Sequence, residues 1–302
     1  MTGTQTTTPD TDTGRVDGRL LDVDNLVVEY PGRGLRKHPF RVLKGCSLDI
    51  RAAETVGLVG ESGSGKTTLG RAVLGLAPVT DGAVRYNGRD ISHLSRSQRR
   101  ELSSDLQVVF QDPYTSLNPA LTIERILTEP LTVRKVSKAD ASRRVRDLLE
   151  QVKLPADAGG RLPREFSGGQ RQRIAIARAL ALDPRLIVCD EPVSALDLST
   201  QARVLELFKE IQERTGVAYL FISHDLAVVR HLSHRVAVMY QGEIVEWGDG
   251  NQVTAHPQHP YTKRLFLAAP VPDPVAQEKR REERRRLLES QQEQEAQASA
   301  VA

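Results

Sequence analysis

The first regular pattern along the chain is alternation. In LLDVDNLVVEY, VLKGCSLDI and ETVGLVG apolar residues recur at every second position or merge into short apolar runs, and Pro31-Gly32-Arg33-Gly34 breaks the first from the second, so three strands are predicted between Leu20 and Gly60. The third runs straight into a glycine loop and then into KTTLGRAVLGLA, a predicted helix. From Ser92 to about Lys153 the texture changes to charged helical segments, RSQRRELSSDL and KADASRRVRDLLEQVKL, interrupted by QDPYTSLNP. We read this as a helical insertion and place it at about residues 92–180. A second α/β stretch follows, with strands LIVCD, AYLFIS and RVAVMYQGEIVEWG. The segment QARVLELFKEIQERTG between the first two carries Val204, Leu205, Phe208 and Ile211 at helical spacing. Strands and helices in alternation place the chain in the α/β class with a mostly parallel sheet.

Composition adds limits. The 302 residues suit one α/β domain of about 200–250 residues with tails. Residues 1–19, rich in Thr, Asp and Gly, are expected to form a disordered leader, and residues 266–302 a polar, solvated, partly helical extension in which Lys, Arg and Glu intermix. The net charge of +3 in a chain with 27% charged residues means that the signs nearly cancel, so no nucleic-acid partner is expected. No apolar run approaches the roughly 20 residues needed to cross a bilayer, and the start lacks an apolar signal core, so a cytoplasmic protein is expected. Cys46 and Cys189 both sit in apolar patterns and read as buried free thiols in a reducing compartment.

Three constellations carry chemistry. Gly60-Glu61-Ser62-Gly63-Ser64-Gly65-Lys66-Thr67, followed by Thr68, fits G-x-x-x-x-G-K-[ST] between a predicted strand and a predicted helix. Glycines let the backbone curl its N–H groups toward phosphate oxygens, the helix start adds positive potential, Lys66 reaches the β- and γ-phosphates, and Thr67 can hold Mg²⁺. A dinucleotide fingerprint fails at Thr68. The apolar run Leu186–Cys189 ends in Asp190 and Glu191, a buried strand delivering acids to the edge of a sheet where ligands bind: Asp190 can anchor Mg²⁺ and Glu191 can polarise water. Ser167-Gly168-Gly169-Gln170 opens the helical RQRIAIARALAL and offers a second anion-binding helix start, which is expected to face a nucleotide on another subunit.

On these motifs, taken in order with Gln111, the D-loop Ser194-Ala195-Leu196-Asp197 and His224, the chain resembles the ABC ATPases over about residues 20–265. The resemblance implies a P-loop NTPase fold: a RecA-like core with a mostly parallel sheet, an antiparallel β subdomain and an inserted helical subdomain. It also implies ATP and Mg²⁺, adenine stacking by Tyr30, Gln111 reaching Mg²⁺ and coupling to the membrane partner, and His224 at the γ-phosphate. The stretch from Val109 to Pro119, the run from Asp190 to Asp197 and His259-Pro260-Tyr261-Thr262 resemble the oligopeptide/dipeptide importer branch, specifically the second ATPase of its pair. The partners so implied are a non-identical ATPase subunit, two permeases and, indirectly, an extracytoplasmic solute-binding protein, with this chain at the cytoplasmic face of the membrane. That branch commonly carries a C-terminal cysteine cluster, and here no cysteine follows Pro270. Nickel or oligosaccharide cargo, carried by relatives, stays open beside peptides, as does a soluble ABC ATPase of repair or translation. Those soluble forms carry long coiled coils, zinc modules or paired ATPase domains, which this sequence lacks. A GTPase is disfavoured by the absence of an Asn-Lys-x-Asp reader.

Overall fold

The computed structural model describes residues 18–32, 39–112 and 116–268, so the expected leader and most of the expected C-terminal extension lie outside the described residues. Two sheets organise the fold. The smaller is antiparallel: β1 (Arg19–Tyr30) and β2 (Phe40–Arg51) pair along most of their length, and β4 (Asp81–Tyr86) and β5 (Arg89–Asp90) extend the sheet in the order β2-β1-β4-β5. The larger takes β3 (Thr55–Val59), β6 (Leu106–Val109), β7 (Leu186–Asp190), β8 (Ala218–Ser223), β9 (Arg235–Tyr240) and β10 (Glu243–Asp249) in the order β10-β9-β3-β8-β7-β6. All its pairings are parallel except that of β10 with β9.

The burial of these strands explains their composition. All six residues of AYLFIS are buried, because both faces of β8 are covered, and such a strand reads as an unbroken apolar run. On one face, Leu21, Leu26, Leu43 and Ile50 of the antiparallel sheet close over Leu58 of β3 and Leu69 of α1 (Lys66–Val73). On the other, the helices α3 (Ile123–Val133), α4 (Lys138–Gln151), α5 (Gly168–Leu180) and α6 (Leu198–Thr215) bury Ile123, Leu148, Ile174 and Phe208 with Tyr219 and Phe221 of β8. A smaller cluster packs Val236 and Val238 of β9 against α7 (Leu226–Leu232), α8 (Gly250–Ala255) and α9 (Pro260–Ala268) through Val229, Val253 and Tyr261.

The fold departs from the sequence reading in particular places. The charged stretch after Ser92 holds one short helix, α2 (Arg96–Leu102), and then β6, an edge strand of the main sheet. RVAVMYQGEIVEWG is a hairpin: Gln241 and Gly242 take positive φ values of 48° and 85°, and β10 folds back on β9. The strand β1 begins at Arg19 and the helix α9 continues to Ala268, so ordered structure reaches slightly into both predicted tails.

Candidate functional site

The carboxyl edge of the large sheet gathers the predicted chemistry. Residues 60–65 turn between β3 and α1 with Gly60, Gly63 and Gly65 all at positive φ. Gly60 is required by space as well as by conformation, since a Cβ there would lie 2.2 Å from the Met239 carbonyl oxygen. Glu61, Ser62 and Gly63 face solvent, whereas Ser64 is buried with its hydroxyl unpartnered. The loop is held from outside by the β9–β10 hairpin, where the Gly242 N–H donates to the Ser64 carbonyl at 2.9 Å.

Lys66, at the start of α1, is only 4% exposed, and its ammonium donates to the carbonyl oxygens of Gly60 and Glu61, each at 2.8 Å. Burial pushes this ammonium below its ordinary value, opposed by the charges of Glu191, Asp190 and Glu61. The Thr67 hydroxyl donates to Asp190 Oδ1 at 3.0 Å, which joins the loop to the end of β7. Burial raises the Asp190 carboxyl and the neighbouring Glu191 charge adds to this, against the Thr67 hydrogen bond. Thr68, half-buried, continues the helix.

Glu191 follows Asp190 with a φ of 49°, a left-handed conformation that a residue with a side chain adopts only at a cost of about 1–3 kcal/mol. Two contacts fix it there: its N–H donates to the Ile222 carbonyl at 3.0 Å, and its own carbonyl accepts from the Ser194 hydroxyl at 3.0 Å. Its carboxylate lies 2.9 Å from His224 Nδ1, beyond the end of the neighbouring strand β8. Gln111 is exposed two residues past Val109, the β6 residue paired with Cys189, and so reaches the same edge. Tyr30 ends β1 opposite Phe40, half-buried against the core between the sheets.

Ser167-Gly168-Gly169-Gln170 is elsewhere. Ser167 caps α5 in a reciprocal capping box: its hydroxyl accepts from the Gln170 N–H at 3.3 Å and the Gln170 side chain accepts from the Ser167 N–H at 2.9 Å. Gly169 packs against Thr200, whose N–H donates to Asp197 at the start of α6. Among the described residues no hydrogen bond joins these four to residues 60–67. One contact went unread in the sequence: the Tyr261 hydroxyl accepts from the Glu61 N–H at 3.0 Å. No local signal in His259-Pro260-Tyr261-Thr262 ties it to a loop so distant in the chain.

A phosphate-binding loop on a mostly parallel sheet, joined through Thr67 to the acids that end β7 two strands away, defines a P-loop NTPase. The comparisons carry this further: the chain belongs to the ABC transporter family, whose model matches residues 43–194. It is an ATP-binding, ATP-hydrolysing member of that family. A putative peptide import ATP-binding protein of Brucella ovis is 50% identical over 255 residues, covering 82% of this chain and 80% of the relative. The oligopeptide transport ATP-binding protein of Salmonella typhimurium is 48% identical over 263 residues, covering 84% and 79%. Among solved structures, a dimeric ATP-binding cassette in a post-hydrolysis state with ADP and Pi matches with a TM-score of 0.68 at 29% identity, covering 76% of this chain and 98% of that one. A component of an ABC transporter complex from Clostridium perfringens shares the fold, with a TM-score of 0.70 at 24% identity over 80% of this chain and 92% of that one.

Proposed function

We propose that this chain is the ATP-hydrolysing subunit of a peptide importer. It works at the cytoplasmic face of a membrane with two permeases, a non-identical partner ATPase and, through them, an extracytoplasmic solute-binding protein. The observation that supports this best is the convergence of Lys66, Thr67, Asp190, Glu191 and His224 at one sheet edge, in a chain half-identical to proteins named for peptide import. Among the described residues no helix is long and apolar enough to cross a membrane.

In this reading residues 60–68 cradle the triphosphate of ATP, with the Lys66 ammonium, seated on the Gly60 and Glu61 carbonyls, turning its remaining N–H to phosphate oxygens, and Tyr30 takes the adenine. The donor set suits Mg²⁺. Among the described residues no group of three His, Cys, Asp or Glu could hold an ion unaided, and a hydroxyl beside a carboxylate, Thr67 with Asp190, completed by phosphate oxygens and water, is what this cation takes. Gln111, at the same sheet edge, would help to hold that ion. Bound there, Mg²⁺ would neutralise charge on the phosphates. Glu191 accepts the proton of the attacking water, His224 orients that carboxylate from 2.9 Å, and the Ile222 carbonyl and Ser194 hydroxyl hold its strained backbone in place. Ser167, Gly168, Gly169 and Gln170, which make no hydrogen bond to this chain's own loop among the described residues, complete the partner's site.

The test is reconstitution in liposomes with candidate permeases, partner ATPase and binding protein. Hydrolysis that rises with peptide-loaded binding protein, together with peptide accumulation, is expected. Stimulation by a nickel- or oligosaccharide-loaded protein instead would overturn the cargo assignment.

A further inference from the structure

The last helix among the described residues, α9, reaches the nucleotide loop through the Tyr261 hydroxyl. Its approach is built in steps. Glu246 of β10 accepts from the N–H groups of Gln258 and His259 at 2.8 and 3.0 Å, which pins the chain just before α9. The imidazole of His259 then accepts from the Tyr261 N–H at 3.2 Å, and Pro260 opens the helix with the preset φ that a first turn needs. Tyr261 is thereby placed against Tyr240 of β9, ring centroids 4.2 Å apart, and is only 3% exposed. From there its hydroxyl accepts the Glu61 N–H at 3.0 Å.

The partner it takes gives this contact its meaning. The Glu61 N–H and the Gly60 C=O are two ends of one peptide unit. The oxygen end accepts the Lys66 ammonium at 2.8 Å, and the N–H end is held by Tyr261. Gly60, without a Cβ, does little to resist rotation of that peptide, and a rotation would turn the N–H toward Lys66 and the carbonyl away from it. A single acceptor on the N–H side fixes which way the unit points.

We propose that Tyr261 is a positioning residue of the nucleotide site: it locks the Gly60–Glu61 peptide plane and so presets the loop and the Lys66 side chain for phosphate. This rests on the reading of Lys66 as the phosphate-binding lysine. The gain is one of preorganisation, because a loop that must be ordered on binding charges that ordering against affinity. It also gives the His259-Pro260-Tyr261-Thr262 motif a task, since Glu246, His259 and Pro260 serve to deliver one side chain.

The test uses the full-length chain, with Tyr261→Phe and Lys66→Ala alone and combined, and reads ATP binding by calorimetric titration alongside the melting temperature without nucleotide. Phenylalanine keeps the ring against Tyr240 and deletes only the acceptor. Tyr261→Phe is expected to raise the ATP dissociation constant about three- to tenfold, the factor that one neutral hydrogen bond carries, while the melting temperature stays close to wild type. In the Lys66→Ala background the same change is expected to have no further effect, because its route to phosphate is gone. Unchanged affinity in Tyr261→Phe, or an equal loss with and without Lys66, overturns the proposal while leaving the P-loop assignment intact. Unchanged affinity in Lys66→Ala overturns the P-loop assignment itself, and this proposal with it.

Discussion

Replacing Gly60 by alanine attacks the loop at its most crowded point. The added Cβ would sit 2.2 Å from the Met239 carbonyl oxygen and 2.9 Å from the Ser64 hydroxyl. Met239 lies on β9, parallel to β3 in the middle of the large sheet and fully buried, so its carbonyl can withdraw only if the sheet shifts. The loop must move instead. Overpacking of this kind costs about 1–3 kcal/mol, and the positive φ adds about 1–3 kcal/mol more for a residue with a side chain. In a domain of this size each kcal/mol lowers the melting temperature by about 2–4 °C, so a fall of roughly 5–20 °C is expected. The Gly60 carbonyl also seats Lys66, and disturbing a charge-assisted contact worth about 1.5–3 kcal/mol weakens ATP binding by roughly tenfold or more. Gly63→Ala is the control: its φ is also positive, yet a Cβ there meets nothing within 4 Å, so it carries the backbone cost alone. Thermal unfolding by circular dichroism and calorimetric ATP titration read both effects. A Gly60→Ala protein no less stable than Gly63→Ala, with wild-type ATP affinity, would refute the steric reasoning.

Three further outcomes are expected. Ser167→Ala loses an N-cap worth about 1 kcal/mol of local stability, and in a heterodimer it impairs hydrolysis chiefly at the partner's nucleotide; site-resolved nucleotide trapping checks this, and a loss confined to this chain's own loop contradicts it. Both thiols are buried, and Cys46 is pushed up to about 11 by desolvation, so thiol reagents should label neither cysteine until denaturant is added. Burial raises the Asp49 carboxyl, but the hydrogen bond and charge of Arg235 outweigh it and leave the group below its ordinary value. A depressed carboxylate contributes stability that is present above its unfolded value, about 3.9, and lost as pH falls through the folded one; Arg235→Gln should remove that part of the acid dependence in pH-resolved melting curves.

Much of this architecture was legible because burial writes itself into sequence. The fully covered β8 is an unbroken apolar run, and β7 is another that ends in the two acids. The glycine loop was legible because its backbone admits few residue types. What escaped was short or nonlocal. The strand β6 has four residues, two of them only partly buried, between charged helical segments, and an edge strand needs less apolar surface than a central one. The hairpin at Gln241-Gly242 lacked the Asn-Gly or Asp-Gly that usually announces one. His224 could be matched to Glu191 only once β7 and β8 were known to be neighbours. Tyr261 and Glu61 meet across 200 residues of sequence, where no periodicity reaches.

The central claim is that this chain hydrolyses ATP with Glu191 as the base, at a site built by Lys66, Thr67 and Asp190. The most direct measurement is ATP binding and turnover by Glu191→Gln in the assembled transporter. The amide keeps the size of the side chain and an oxygen facing His224, while removing the group that takes the proton. ATP affinity should stay near wild type, turnover should fall by about 10²- to 10⁴-fold, and a closed ATP-bound dimer should accumulate. Near-normal turnover in that variant would contradict the account.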